Sequence, residues 1–232
     1  MKDLRQLFGT DGIRGVANVD LTPEFVLKVG KAGAKYLSSD NRAKVRILIG
    51  RDTRPSGEFI SSALVSAILS CGVNVLDAGI ITTPAVALII KILGLDGGIV
   101  ISASHNPVED NGIKFFAKEG QKLTDHQEKS IEDYILSEIP PENDSCRSAE
   151  VGRYSVLENA YGLYCGYLEN VFKVNLSGIK VALDCANGAA SILAPLVFKK
   201  FNADVVALNC DTGGNLINRG CGATNPDFIS RA

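Results

Sequence analysis

The stretch 97–116, GGIVISASHNPVEDNGIKFF, sets Ser104, His105 and Asn106 between two apolar runs and places Lys114 inside the second. A serine can carry a transferable group only when something activates it or offsets the developing charge. Imidazole is the common activator, and the chain has 2 histidines. His126 falls in the first turn of an amphipathic helix and reads as solvent-facing. His105 adjoins Ser104, and neighbouring side chains on an extended backbone point opposite ways. No G-x-S-x-G elbow is present. A Ser-His hydrolase is therefore disfavoured, and if Ser104 is a nucleophile, something other than an imidazole base must activate it; cations are the candidates to hand.

The cations follow in order. The Gly-rich turn FGTDGIRG (8–15) carries Asp11 and Arg14, and GRDTRPSG (50–57) carries Arg51, Asp52 and Arg54 where a strand ends and a helix opens. In parallel α/β sheets, ligands gather at the carboxyl ends of strands. Ser104, Arg51, Asp52 and Arg54 all follow strands, so one rim can hold them. Helix starts at Ser56 and Thr83 add positive partial charge nearby. Arginine and lysine around one serine suit phosphate. Each residue alone admits a plainer reading. Arg51 to Arg54 could be a helix cap with ion pairs, Lys114 a solvent-facing residue of an edge strand, Asn106-Pro107 a turn, and Arg14 a surface loop residue. Their combined order favours an anion site. The chain has no G-x-x-x-x-G-K-[ST] and no G-x-G-x-x-G after a strand, so nucleotide-binding loops are not the framework.

Alternating elements must position these residues. Apolar runs at 45–50, 73–79, 97–103 and 112–117 predict strands. Helices are predicted from Thr22-Pro23 to about Leu37, over 56–72 with Ser56 as N-cap and Gly72 as stop, and over 82–94 with Thr83 as cap and Pro84 in the first turn. A further helix over 124–139 opens with a capping box, Thr124 to Gln127. Strands that are apolar throughout imply burial on both faces, hence a largely parallel sheet between helical layers. Residues 139–153, polar with two prolines, read as a linker. Alternation then resumes: a helix over about 155–173, a strand at 179–186, a helix at 187–202 in which Gly188 and Ala189 let backbones approach, a strand at 203–210, and a Gly- and Asn-rich irregular tail. The expected class is α/β, with two consecutive three-layer α/β/α domains on mixed, mainly parallel sheets: 1–150, and 151–232, the second incomplete.

Composition agrees with a folded protein: 232 residues, 46% hydrophobic and 22% charged. A net charge of −2 at pH 7 gives no support for nucleic acid or an anionic membrane surface as partner. No run approaches the roughly 18 apolar residues of a membrane span, and the N-terminus lacks the apolar centre of a signal peptide. The expected location is cytoplasmic. Cys71, Cys146, Cys165, Cys185, Cys210 and Cys221 form no C-x-x-C pair and read as small, reduced, buried side chains.

Taken together, FGTDGIRG, GRDTRPSG, TTPAVA, ISASHNP, NGIKFF, DCANGAA and CGATNPD resemble the α-D-phosphohexomutases, and among them the bacterial phosphoglucosamine mutase branch. The resemblance covers essentially the whole chain. It implies that Ser104 carries a phosphate, gives it to a sugar monophosphate, and regains a phosphate from the resulting bisphosphate. The net change would be glucosamine 6-phosphate to glucosamine 1-phosphate, with glucosamine 1,6-bisphosphate as intermediate and activator. On the same footing Arg14, Lys114 and His105 join Ser104 in catalysis, and Arg14, Arg51, Asp52, Arg54 and Asn106 bind substrate phosphate. The family binds Mg²⁺ through a run of aspartates that is not found here, so the resemblance leaves only Ser104, through its phosphate, as a metal contact. Its later domains also have no counterpart in these residues. The chain is thus expected to be the N-terminal portion of a longer mutase, inactive alone, with exposed interdomain surface that could support a homodimer. Another mutase of the family, acting on mannose or glucose phosphates, and a non-catalytic phosphosugar-binding module remain the alternatives.

Overall fold

The computed structural model describes residues 7–38, 44–137 and 150–231. Its main sheet has seven strands in the order β1-β2-β6-β5-β3-β4-β7. In chain order the elements are β1 (Phe8–Gly9), β2 (Gly12–Val16), α1 (Pro23–Leu37), β3 (Arg46–Arg51), α2 (Ser56–Ser70), β4 (Asn74–Ile80), α3 (Thr83–Leu93), β5 (Gly97–Ile101), β6 (Asp110–Ala117), α4 (Asp125–Leu136), β7 (Tyr154–Val156), α5 (Ala160–Val171), β8 (Lys180–Asp184), α6 (Ala190–Lys200), β9 (Asp204–Leu208) and α7 (Asp227–Ser230). Strand β3 pairs in parallel with β4 and β5, and β4 with β7. The β1–β2, β2–β6 and β5–β6 ladders are antiparallel. Strands β8 and β9 form a separate parallel pair.

Two cores explain the apolar strands. On one face Ile47, Ile49, Ile99, Ile101, Ile113 and Phe115 meet α1, α2 and α4 through Val26, Val29, Ile60, Leu64 and Ile131. On the other face Leu48, Val100 and Phe116 meet Ile89 and Ile90 of α3, together with Ala160, Cys165 and Leu193 from α5 and α6. Successive strand residues point to opposite faces. A central strand between two helical layers must therefore be apolar at every position. Lys114 breaks that pattern, sharing the α3 face with Phe116.

Several expectations need correction at the ends of elements. Ser56 begins α2 as a helical residue; its hydroxyl accepts from Asn111 Nδ2 at 2.9 Å, so it does not cap. The N-cap of α3 is Thr82, with no side-chain capping bond, and Pro84 lies within the first two helical positions. The capping box of Thr124 and Gln127 is present, as is the Thr22 cap on α1. The helix predicted from about 155 is shorter: 154–156 instead extend the main sheet by pairing with β4, and helix begins at Ala160. The first sheet therefore takes its last strand from beyond residue 150. Gly188 makes no close approach, because a Cβ there would meet nothing nearer than 3.6 Å. Most of the predicted linker, residues 138–149 with Cys146, lies outside the described residues. Among the described cysteines all are free thiols; Cys165, Cys185 and Cys221 are buried, and Cys71 and Cys210 are half-buried.

Candidate active site

Three parallel strands and β8 turn their carboxyl ends toward one cleft of about 340 Å³. Asp52 follows β3, Thr82 and Thr83 follow β4, Ser102 and Ser104 follow β5, and Asp184, Cys185 and Ala186 belong to the end of β8; all line this cleft with His105, Lys114 and Asn218. Of the four residues expected on one rim, Ser104 and Asp52 line this cleft and Arg51 and Arg54 do not; His105 and Lys114 line it as well.

Ser104 and His105 are exposed at the tip of the loop between β5 and β6. Ser104 has φ +57°, a left-handed conformation that costs a non-glycine residue about 1 kcal/mol or more. Its surroundings hold it there. The Ser104 amide donates to Ser102 Oγ at 3.0 Å. Beneath the loop lies Arg54, which has no solvent exposure. Its Nε donates to Asp52 Oδ2 at 3.0 Å, and Asp52 Oδ1 also accepts from the Arg54 amide. Arg54 Nη1 donates to the carbonyls of Pro107 and, at 2.9 Å, Asp110. Nη2 donates to the carbonyls of Ser104 at 3.1 Å and Asn106 at 2.8 Å. A guanidinium has five N–H donors, and here the protein itself takes all of them. Arg54 is therefore corrected from phosphate ligand to anchor of the serine loop.

Asn106 helps to shape the loop: its side-chain amide donates to Asp110 Oδ2 at 2.9 Å and its backbone carbonyl accepts from Arg54 Nη2 at 2.8 Å. Arg51 faces away, into a separate groove with Glu58, Asp77 and Tyr154, and meets Glu58 Oε1 at 3.5 Å. Asp52 reaches the cleft wall but its carboxylate is spent on Arg54.

Lys114 is 6% exposed and belongs to an interior strand, not an edge. Its Nζ lies 2.6 Å from Asp11 Oδ2, and the same oxygen accepts from Arg14 Nη2 at 2.5 Å. Burial raises the Asp11 pKa, but the bonds and charges of Lys114 and Arg14 outweigh it and hold the carboxyl below its ordinary value. Asp11 therefore stays ionised and joins the two cations. Arg14 itself lines an adjoining cleft with Phe8, Thr10 and Asp11. The hairpin that presents Asp11 requires glycine at position 12: φ there is +84°, and a Cβ would lie 2.4 Å from the carbonyl oxygen of Ile113. Glu132, buried in α4, secures the strand before it by accepting from the amides of Leu7 at 2.7 Å and Phe8 at 3.2 Å.

The sequence reading missed the contribution of the second half. Thr53 Oγ1 donates to the carbonyl of Asn187 at 2.6 Å. Asn218 Nδ2 donates to the carbonyls of Ser104 at 2.8 Å and Asn106 at 2.9 Å. Asp184 accepts from the amides of Ala186 and Gly222 and from Asn209 Nδ2. Burial raises its pKa, but those three bonds more than offset this and leave it lowered. The only sequence signal was asparagine among glycines, which marks left-handed turns; Ala186, Asn187, Asn209 and Asn218 do have positive φ. Among the described residues no group of three or more His, Cys, Asp or Glu side chains could hold a metal ion. The described residues therefore do not by themselves assemble a magnesium site.

Residues 5–141 match the family model for phosphoglucomutase/phosphomannomutase, alpha/beta/alpha domain I. The chain belongs to this family. Curated relatives named phosphoglucosamine mutase include that of Alkaliphilus oremlandii, 45% identical over 97% of this chain and 50% of its own length. That of Clostridioides difficile is 44% identical over 99% of this chain and 51% of its own. The chain thus spans about half the length of the curated relatives it matches. Among solved structures, a phosphoglucomutase/phosphomannomutase family protein from Burkholderia thailandensis has a TM-score of 0.75 at 24% identity, covering 90% of this chain and 45% of that one. An Aspergillus fumigatus N-acetylphosphoglucosamine mutase, in complex with GlcNAc-6P and magnesium, has a TM-score of 0.55 at 16% identity, covering 98% and 45%. These likenesses share the fold. No helix among the described residues is long and apolar enough to cross a membrane.

Proposed function

We propose that this chain carries the phosphoserine seat of a phosphoglucosamine mutase, with Ser104 as the residue that gives and regains the phosphoryl group. One observation carries the reading: an exposed serine, held in a left-handed conformation by a fully buried arginine, shares a cleft with a buried, ion-paired lysine. Such rigidity serves a reaction whose catalysis is mostly positioning and charge neutralisation. The relatives' shared name supplies the sugar, glucosamine phosphate.

In the transfer, the bond from Ser104 Oγ to phosphorus breaks, a bond from phosphorus to a sugar hydroxyl oxygen forms, and the hydroxyl proton ends on Ser104 Oγ. The return step reverses this with the phosphate at the other end of the bisphosphate. A phosphoserine carries about −1.5 to −2 charges at neutral pH and would repel an incoming phosphate. Lys114, fixed by Asp11, supplies a buried positive charge at the cleft wall. Arg14, on the far side of Asp11, is the second cation within reach of that network. His105, exposed beside Ser104, can donate to a phosphate or sugar oxygen. Asp11 keeps the buried Lys114 from standing unpaired while the serine is bare.

Intact-mass measurement with peptide mapping tests this. After incubation with glucosamine 1,6-bisphosphate and Mg²⁺, the chain is expected to gain one phosphoryl group at Ser104, and glucosamine 6-phosphate is expected to remove it. Ser104→Ala should gain none. Net mutase turnover by the 232-residue chain alone is expected to be absent. Bisphosphate binding without phosphate uptake, by the chain and by a full-length protein containing it, would replace this reading with a phosphosugar-binding module.

A further inference from the structure

Two carbonyl oxygens in the serine loop, those of Ser104 and Asn106, each accept two side-chain hydrogen bonds. One comes from below, from Arg54 Nη2. The other comes from across the cleft, from Asn218 Nδ2 at 2.8 and 2.9 Å. A carbonyl oxygen has two lone pairs, so both acceptors are saturated. The amide of Asn218 has only one workable orientation here, because its oxygen would face two acceptors if turned round. Asn218 is itself fixed: its φ is +59°, and its backbone amide donates to the carbonyl of Ala186 at 2.9 Å. That carbonyl belongs to the turn after β8, which Asp184 holds through Ala186 and Gly222. The turn is tied a second time to the first half through Thr53 Oγ1 and Asn187.

We propose that Asn218 is a positioning residue: it locks the Ser104 loop in its presenting conformation, so the second half of the chain sets the geometry of a nucleophile carried by the first. Its role in phosphoryl transfer rests on the reading of Ser104 given above. Arg54 can hold the loop from inside but leaves each of the two carbonyls one lone pair facing the cleft. Asn218 occupies both. Without it, those lone pairs are free to turn toward water, and the strained φ of Ser104 loses half of the bonds that fix its carbonyl.

Two variants of the full chain test this. Asn218→Gly tolerates the left-handed backbone and removes both donors. Asn218→Asp keeps the shape but turns a carboxylate toward two carbonyls. Amide exchange is read in peptides covering 103–110, where the Asn106 and Asp110 amides bond within the loop. Exchange is expected to quicken by about tenfold in both variants, with peptides from β3 and β5 unchanged. Phosphoryl uptake from glucosamine 1,6-bisphosphate is expected to slow by about tenfold or more at saturation, with the half-saturating concentration nearly constant. For Asn218→Asp, part of the rate relative to wild type should return toward about pH 5, where a protonated carboxyl can donate one bond. Unchanged loop exchange in both variants would overturn the proposal, as would unchanged uptake at saturation. If the wild-type chain takes up no phosphate, the phosphoserine reading fails, and the exchange measurement alone decides whether Asn218 holds the loop.

Discussion

Arg54 meets five acceptors and has no exposed surface, and this decides what the serine loop can be. Four of those acceptors are backbone carbonyls of residues 104 to 110, and the fifth is the Asp52 carboxylate. Removing the guanidinium would leave a buried carboxylate unpaired and four carbonyls short of a donor. Arg54→Ala should therefore cost about 3–5 kcal/mol of stability, measured by urea unfolding. Arg54→Lys keeps the charge but has at most three donors and no planar fork, so it should recover only part of the loss. A cost under about 1 kcal/mol for Arg54→Ala would show that the loop holds its shape without this anchor. At this scale the sequence named the right segment but not the division of labour within it: Arg54 anchors the loop and Arg51 faces a separate groove. GRDTR is equally good as a phosphate clamp or as a loop anchor. The difference lies in which carbonyls the 104–110 turn points inward, and that depends on backbone dihedrals no spacing rule encodes. Lys114 was ambiguous for a similar reason: it is a wall residue only because β2 occupies the far side of β6.

Helix α1 shows how an element can place site residues without touching them. A Cβ on Gly33 would come within 2.2 Å of Phe115 Cε1, and one on Gly30 within 2.7 Å of the Ala67 Cβ in α2. Gly33 lets the helix pack directly on Phe115, the neighbour of Lys114 in β6, and Gly30 lets it pack closely on α2. Alanine is the better helix former by about 1 kcal/mol, so propensity alone predicts that Gly33→Ala stabilises. Phe115 is fully buried and its ring centroid lies 6.3 Å from that of Phe8, so it has no room to yield. Overpacking costs about 1–3 kcal/mol, and after the gain in helix propensity the expected net result is a loss of up to about 2 kcal/mol in urea unfolding. A gain would mean that the ring moves freely. Long elements of this kind were legible because periodicity and caps act locally: α1, α4 and the central strands were all expected. Strand β7 was not. Its three residues are all exposed, and they are a strand only because β4 offers an open edge.

At the scale of the whole molecule the two halves are unequally built. In the main sheet the central strands are covered on both faces. The β8–β9 pair is a sheet of two strands with exposed Val206, and exposed Val171, Phe172, Val174, Ile179, Leu216 and Phe228 lie in the same half. An isolated two-stranded sheet has little stability of its own. What holds it to the rest is Leu193 and Cys165 in the second core, the bond from Tyr161 to the carbonyl of Ile80 at 2.6 Å, and the Thr53 and Asn218 bonds at the cleft. Cooperative units with fewer buried contacts open first. Native-state exchange should therefore show amides of 180–208 opening at a free energy well below that of 46–51 and 97–117. Because Asn218 belongs to the weaker unit and Ser104 to the stronger, opening of the first should expose loop 103–110 at the same denaturant concentration, before the main sheet unfolds. If 180–208 and 97–117 instead open together at one free energy, the halves form a single cooperative unit. The serine loop would then draw its rigidity from the whole chain and not from a separable clamp.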